Sequence, residues 1–545
     1  MLIRSTQCPR AEQAAQPKLL LLSSFLGTAL ALALVPAMAQ PSGPGAVEVS
    51  PAVARAVSQP LREMPVARPG IEMKRERPIL AVPLAPGREQ ADPVVQLQAG
   101  PAVRTTLGLN FAGVGYGDYG FTPNAAPPDT NGAVGATQYV QWVNESLAVF
   151  DKSSGAIVKG PVAGNTLFAN LGGACASNND GDPIVQYDKA ANRWVLTQFS
   201  VSTTPYLQCV AVSQTSDATG AYNLYAFSYG TTQFPDYPKL GVWGDAYYIT
   251  YNIFNNGQTF GGAKLCAFDR AKMLAGAAAT QQCFQLSTSY GGVLPVDLDG
   301  ATAPPAGAPA PFINFGTNSL NLWRFHTDWT TPANSTLSGP LNVAVAAFTP
   351  ACSGGTCIAQ PGTSNQLDSL ADRLMYRFAY RNGTTASAAE TAVVNHSVKV
   401  SGNKRSQVAG VRWYQLGNLT SGSPTVLQQG TFAPDGNSRW MGSIAMDKAG
   451  NIALGYTVSS GSVYPSMAIT GRAPTDAPGT MQAESVLLGG TGSQTGNLHR
   501  WGDYSAMTVD PVDNCTFYFT TEYLKASGSF NWSTRIASFK LPGCI

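Results

Sequence analysis

The chain has 545 residues, with 34 Lys and Arg against 32 Asp and Glu and a formal net charge of +2. Charged side chains are only 12% of it and no Lys/Arg stripe stands out, which speaks against a nucleic-acid partner. Gly, Ser, Thr, Asn, Tyr and Trp are abundant while Glu and Lys are scarce; this mixture disfavours long helices and suits strands joined by tight turns.

The first segment reads as a targeting signal. Lys18 precedes "LLLLSSFLGTALALALVPAMA", which ends in the small-x-small pattern Ala37-Met38-Ala39, so cleavage is expected after Ala39. A membrane anchor is the rival, but Pro36 and the cleavage pattern favour removal. No other apolar stretch approaches the ~20 residues a span needs. The remaining chain is therefore expected to be secreted or periplasmic, without a membrane span. Of nine cysteines, Cys8 lies in the leader. The other eight form an even set, which in an exported chain points to disulfides. Near neighbours suggest 175–209, 266–283, 352–357 and 515–544. A metal site is disfavoured, because there is no CxxC pair and no His at zinc spacing.

Residues 40–105 are rich in Pro, Ala and Val, as in "PSGPGAVEVSPAVARAVSQP", and carry no sustained periodicity. They read as a disordered linker or propeptide. Folded sequence is expected over 106–545, beginning near "LGLNFAGVGYGDYG".

From there the chain repeats itself. Units open at Pro127, Asn178, Phe234, Ala310, Leu370, Ser438 and His499. Each has a polar entry, a short apolar strand, a turn and a second apolar strand. The turns "DKAAN" (188–192), "DKAGN" (447–451) and "DPVDN" (510–514) hold Asp and Asn, which bond their own backbone and tolerate the left-handed region. Several units add another hairpin. The expected fold is all-β, a seven-bladed β-propeller of four-stranded antiparallel blades; two stacked sandwiches are the alternative. The last unit lacks a strand, which Leu107–Tyr116 is positioned to supply, and a Cys515–Cys544 bond would pin it.

In such a ring the polar entries converge on one mouth. They carry Asp129, Asp180, Asp182, Asp236, Lys239, Arg373, Arg439, Arg500 and Asp503. Three readings follow. These side chains cap strand ends; or Asp129, Asp182, Asp236 and Asp503 act on a glycosidic bond while Lys239, Arg373, Arg439, His499 and Arg500 hold an acidic sugar and Trp440, Trp501, Tyr237 and Tyr504 stack on its rings; or Asp129, Asp182 and Asp236 bind Ca²⁺, though without EF-hand spacing. His499 beside Arg500 suits a lyase acting on uronic acids. His396, alternating with apolar residues, reads as a strand-face residue, and His326 as structural. No GxSxG elbow, phosphate loop, Rossmann fingerprint or HExxH occurs.

The strings "PPDTNGAVG", "DGDPIVQYD", "RWMGSIAMD" and "RWGDYSAMTVDP" resemble exported bacterial sialidase-like (BNR-type) β-propeller proteins, over about 110–545. That resemblance implies the propeller fold and little established activity. More distantly the chain is similar to true sialidases, which would make Arg373, Arg439 and Arg500 an arginine set with Tyr504 beside it. There is no Arg-Ile-Pro, and only a degenerate box, "TSDATGAY" (215–222). The expected role is engagement of an extracellular polysaccharide or glycoconjugate by a monomer, with no resident cofactor beyond the Ca²⁺ alternative. Glycoside hydrolase, polysaccharide lyase and non-catalytic binding module stay open.

Overall fold

The computed structural model describes residues 45–66, 74–76, 80–84, 89–102, 105–403 and 406–545. The leader expected over 1–39 lies outside them. The described residues form one compact unit whose regular structure is mainly antiparallel β-sheet, as the composition implied.

Four-stranded antiparallel meanders follow one another along the chain. Their first strands are Asn131–Val134, Ile184–Asp188, Gln233–Val242, Leu294–Asp299, Met375–Asn382, Ser438–Met446 and Ala506–Val509. The turns "DKAAN", "DKAGN" and "DPVDN" each join a first strand to a second, as read from sequence. Their chemistry is uniform. The carboxylates of Asp188, Asp447 and Asp510 accept from the backbone N–H of Ala191, Ala449 and Val512, and Asn192, Gly450 and Asn514 take positive φ. In the last meander, Trp532–Lys540 pairs antiparallel with Thr106–Ala112, so the missing strand comes from the other end of the chain.

The fourth meander corrects the sequence reading. Its first strand is Leu294–Asp299, not the segment at Ala310, which is the second strand. Pro295, Asp297 and Asp299 hid it, because a buried strand carrying two carboxylates does not look apolar. Both acids are answered in three dimensions. This strand pairs in parallel with Met375–Asn382, joining the fourth and fifth meanders into one sheet. Arg377 Nη1 donates to Asp297 at 2.8 Å, Arg377 also pairs with Asp299, and Lys189 reaches Asp299 at 2.9 Å.

Each first strand lies against the first strand of the next meander, and the last lies against the first. Among the described residues, all of them but Leu294–Asp299 and Met375–Asn382, which pair with each other, have one edge without a strand partner that needs hydrogen-bond partners. Side chains supply them: the N–H of Val185, Val242 and Met507 donate to Asn131 (2.8 Å), Asp297 (3.0 Å) and Ser443 (2.9 Å) of the neighbouring first strand. Large aromatics, including Trp142, Trp194, Trp323 and Trp413, are fully buried.

The stretch expected to be a linker is structured where it is described. Glu48–Pro51 adds a strand to the outer edge of the third meander and Ala54–Val57 to that of the second. Leu61 and Met64 are buried, and Val95–Gln96 pairs with the fifth meander. Strand addition needs backbone hydrogen bonds rather than an apolar pattern, so composition did not reveal it.

All four cysteine pairs expected from proximity form: 175–209, 266–283, 352–357 and 515–544. They fit an oxidising compartment. Among the described residues no helix is long and apolar enough to cross a membrane. The 515–544 bond spans 29 positions and pins the strand that pairs with Thr106–Ala112. Replacing both cysteines with Ser is expected to lower unfolding free energy by about 3–4 kcal/mol through loop entropy, measured as a fall in the urea midpoint.

Candidate functional site

Backbone geometry builds the site first. Asp129, Asp182 and Asp503 take positive φ (48°, 47° and 59°) just ahead of their first strands. Tyr237 (55°) and Met441 (54°) do so within theirs, where the ladder shifts register. Asp tolerates the left-handed region better than most residues, whereas Tyr and Met occupy it at a cost of order 1–3 kcal/mol. The recurrent kink brings entry residues of separate meanders together.

The result is a cavity of about 110 Å³ lined by Asp182, Asp236, Arg373, Arg500 and Asp503, with Leu80, Phe199 and Phe234 among its apolar walls. Arg500 is ion-paired with Asp503, and Arg373 with Asp372 at 2.7 Å. Behind it runs a stack of cations and rings. The Arg373 guanidinium lies 4.3 Å from the Tyr237 ring centre. Lys239 Nζ lies 3.4 Å from the same ring and 4.0 Å from that of Tyr504. Lys239 is fully buried and donates to the Pro238 carbonyl at 2.9 Å. Such contacts, desolvated, contribute about 2 kcal/mol each.

Crowding of charge away from water sets the protonation states. Burial, reinforced by Asp182, pushes the Asp236 carboxyl up to about 8 against the pull of Arg373. Burial, then Asp503 and Asp182, holds Asp129 well above the carboxylate range. Burial lowers Lys239 to about 8 although Asp182, Asp503 and Asp129 oppose it. Burial also raises Asp368 to about 6.

Asp129, Asp182, Asp236, Lys239, Arg373, Arg500, Asp503 and Tyr504 therefore interact within one cluster, as the entry pattern suggested. Other candidates stand apart. Arg439 is held by Asp435 (2.8 and 3.0 Å) and Glu484 (2.7 Å). Trp440 and Trp501 are core residues packed together at 6.1 Å, at most 1% exposed, so neither offers a face to a sugar. Asp180 caps a local turn through the N–H of Val201 and Ser202. His499 is exposed, and its Nδ1 lies 2.9 Å from the Gln366 carbonyl oxygen. His396 is buried against Tyr414. Sequence reasoning passed over Asp372, although it adjoins Arg373 in "DRLMYR", and over Leu80. Among the described residues no three His, Cys, Asp or Glu side chains are grouped to hold a metal ion, which gives the Ca²⁺ alternative no support.

No protein-family model matches this chain, and no curated protein sequence matches it. Solved structures similar to it include an exo-β-1,3-galactanase from Clostridium thermocellum (9% identity, TM-score 0.30, covering 79% of this chain and 99% of that one). An α-L-arabinofuranosidase from Lactobacillus brevis matches at 10% identity and TM-score 0.26, over 66% of this chain and 90% of its own. A PL25 ulvan lyase matches at 11% identity and TM-score 0.27, over 77% of this chain and 81% of its own. At these scores nothing about activity transfers.

Asp236 provides a direct check. Its folded pKa lies above the ordinary 3.8, so between about pH 4 and pH 8 the folded protein keeps a proton that the unfolded chain has lost. Stability from this group therefore falls as pH rises through that window. Asp236→Asn, permanently neutral, is expected to gain stability relative to the parent steadily from pH 5 to pH 8 and to level off above, read from urea midpoints at each pH.

Proposed function

We propose that this chain is an exported seven-bladed β-propeller that acts on an extracellular glycan at the entry side of its first strands. Two observations support the ring: the first strands neighbour one another in an unbroken cycle, and Thr106–Ala112 completes the last sheet. The expected leader and the four disulfides support export.

The chemistry proposed is glycoside hydrolysis by two carboxyl groups in different states. The observation that carries it is Asp236, raised to about 8 and lining the same cavity as Asp503, the salt-bridge partner of Arg500. Asp236 is the proposed general acid that protonates the leaving oxygen. Asp503 or Asp182 is the carboxylate that attacks or activates water. Arg373 and Arg500 orient an acidic substituent, and Lys239 holds Tyr237 and Tyr504 in place behind them.

A non-catalytic binding module is the second reading. Both arginines already have carboxylate partners, and a cavity of about 110 Å³ is smaller than the ~150 Å³ that takes up benzene. A lyase is less well supported, because His499 is not among the residues lining the cavity.

Incubating the full chain with a panel of acidic and neutral polysaccharides, while following reducing ends and 235 nm absorbance, separates these readings. Hydrolysis predicts new reducing ends without absorbance, and a fall in kcat of about 10²–10⁴ for Asp236→Asn. Retention without turnover, lost in Arg500→Ala, supports the binding module. No turnover, with retention unchanged in Asp182→Asn, Asp503→Asn and Arg500→Ala, overturns the site.

A further inference from the structure

The fourth meander carries a second and larger cavity, of about 580 Å³. Its second and third strands, Ala310–Gly316 and Ser319–His326, are joined by a tight turn at Thr317 and Asn318. In an antiparallel meander that turn returns to the side where the first strand enters, and it lines the cavity together with Tyr290 and Gly291, just ahead of the first strand. Phe348, in the link to the fifth meander, lines it too.

Among the described residues three aromatic rings line this cavity, Tyr290, Phe315 and Phe348. Each packs on an inner ring that is itself fully buried, which fixes its place. Tyr290 meets Trp323 edge-on, with ring centres 5.0 Å apart. Phe315 and Phe348 lie 4.9 and 4.6 Å from His396.

Three side-chain amides line it as well, and they are oriented by a relay. Asn342 Nδ2 donates to Asn321 Oδ1 at 3.1 Å, Asn321 Nδ2 to Asn314 Oδ1 at 3.0 Å, and Asn314 Nδ2 to the Gly291 carbonyl at 3.0 Å. Asn318 donates to Gln90 Oε1 at 2.9 Å and accepts from the Phe348 N–H at 3.3 Å. A carboxamide has two N–H donors and two lone pairs. Among the described residues each of Asn314, Asn318 and Asn321 uses one of each, so one donor and one acceptor per amide remain. Asn314 and Asn321 are more than nine-tenths buried. Charge is nearly absent. Asp372 is the one charged side chain among the described residues of the lining, and its carboxylate is taken by Arg373 and the Val82 N–H.

We infer that this cavity binds an uncharged sugar residue, at a site separate from the charged cavity. A sugar hydroxyl donates and accepts at once, which matches the donor and acceptor left on each amide. The C–H faces of the same ring suit fixed aromatic walls. A wholly apolar ligand would strand the buried amides, an anion finds no cation, and water alone would leave three rings wetted. The volume falls within the ~300–1,000 Å³ of small-molecule sites. Among the described residues none lines both cavities, so the inference holds whether or not the charged one is catalytic.

The test follows binding to the full chain by saturation-transfer difference NMR, titrating cellobiose, lactose and maltose, with glucuronate and cyclohexanol for comparison. Asn321→Ala removes a buried amide. Asn318→Gly removes another where φ is 50°, which Gly adopts without strain. Ser289→Trp, at an exposed position of the lining, fills the space. Circular dichroism checks folding; should Asn321→Ala fail it, the other two variants decide. At least one neutral disaccharide is expected to bind, about tenfold more weakly in each amide variant and not at all in Ser289→Trp. Absence of binding by all three disaccharides overturns the site. Binding unchanged in Ser289→Trp and Asn318→Gly overturns its location. Cyclohexanol binding more tightly than every sugar overturns the saccharide assignment, and glucuronate doing so overturns the preference for an uncharged ring.

Discussion

A strand at the inner edge of a sheet has backbone donors and acceptors that its own sheet cannot satisfy, and the whole molecule is arranged around that debt. Among the described residues, every first strand except Leu294–Asp299 and Met375–Asn382, which pair with each other, leaves such an edge against its neighbour. The protein answers with side chains from the neighbouring first strand: Asn131 to Val185, Asp297 to Val242 and Ser443 to Met507. Where the answering group is charged, it needs a counter-charge, and Arg377 provides it between Asp297 and Asp299. Removing one partner of such a buried pair typically costs about 3–5 kcal/mol, more than the pair adds when intact. The polar interior is thus obligatory once the first strands are packed against one another.

The same packing produces the charged cluster at the strand entries. Positive-φ kinks at Asp129, Asp182, Tyr237 and Asp503 bring side chains from separate meanders into mutual range. Four carboxyl groups cannot all ionise in so little water, so Asp236 and Asp129 move up while Arg373 and Arg500 neutralise their neighbours. Lys239, between Tyr237 and Tyr504, adds a cation that no solvent reaches. Differing protonation among neighbouring acids is a consequence of the architecture.

The repeating entry–strand–turn grammar was legible because apolar alternation and Asp/Asn turns are local properties. Pairing of near cysteines was legible for the same reason. Convergence of Asp129, Asp182, Asp236 and Asp503 followed from the repeat, since equivalent positions of a repeat meet in space. What escaped was non-local. The strand Leu294–Asp299 looked polar because its partners, Arg377 and Lys189, are far away in the chain. Arg439, Trp440 and Trp501 looked like ligand groups until Asp435, Glu484 and mutual packing claimed them. The strands at 48–57 are exposed edge additions, which leave almost no mark on composition.

The pairing of Thr106–Ala112 with Trp532–Lys540 has a consequence for assembly. Asn110 and Arg535, which bond each other, are 425 positions apart. An incomplete polypeptide therefore holds a strand whose mate has not yet been made, and loop closure over that distance comes late. Until then the early segment is a free template, able to accept the terminal strand of another molecule as readily as its own. Strand exchange between copies is the misassembly built into this topology, and the short reach of the 515–544 link limits it by presenting the terminal strand already folded back on its hairpin.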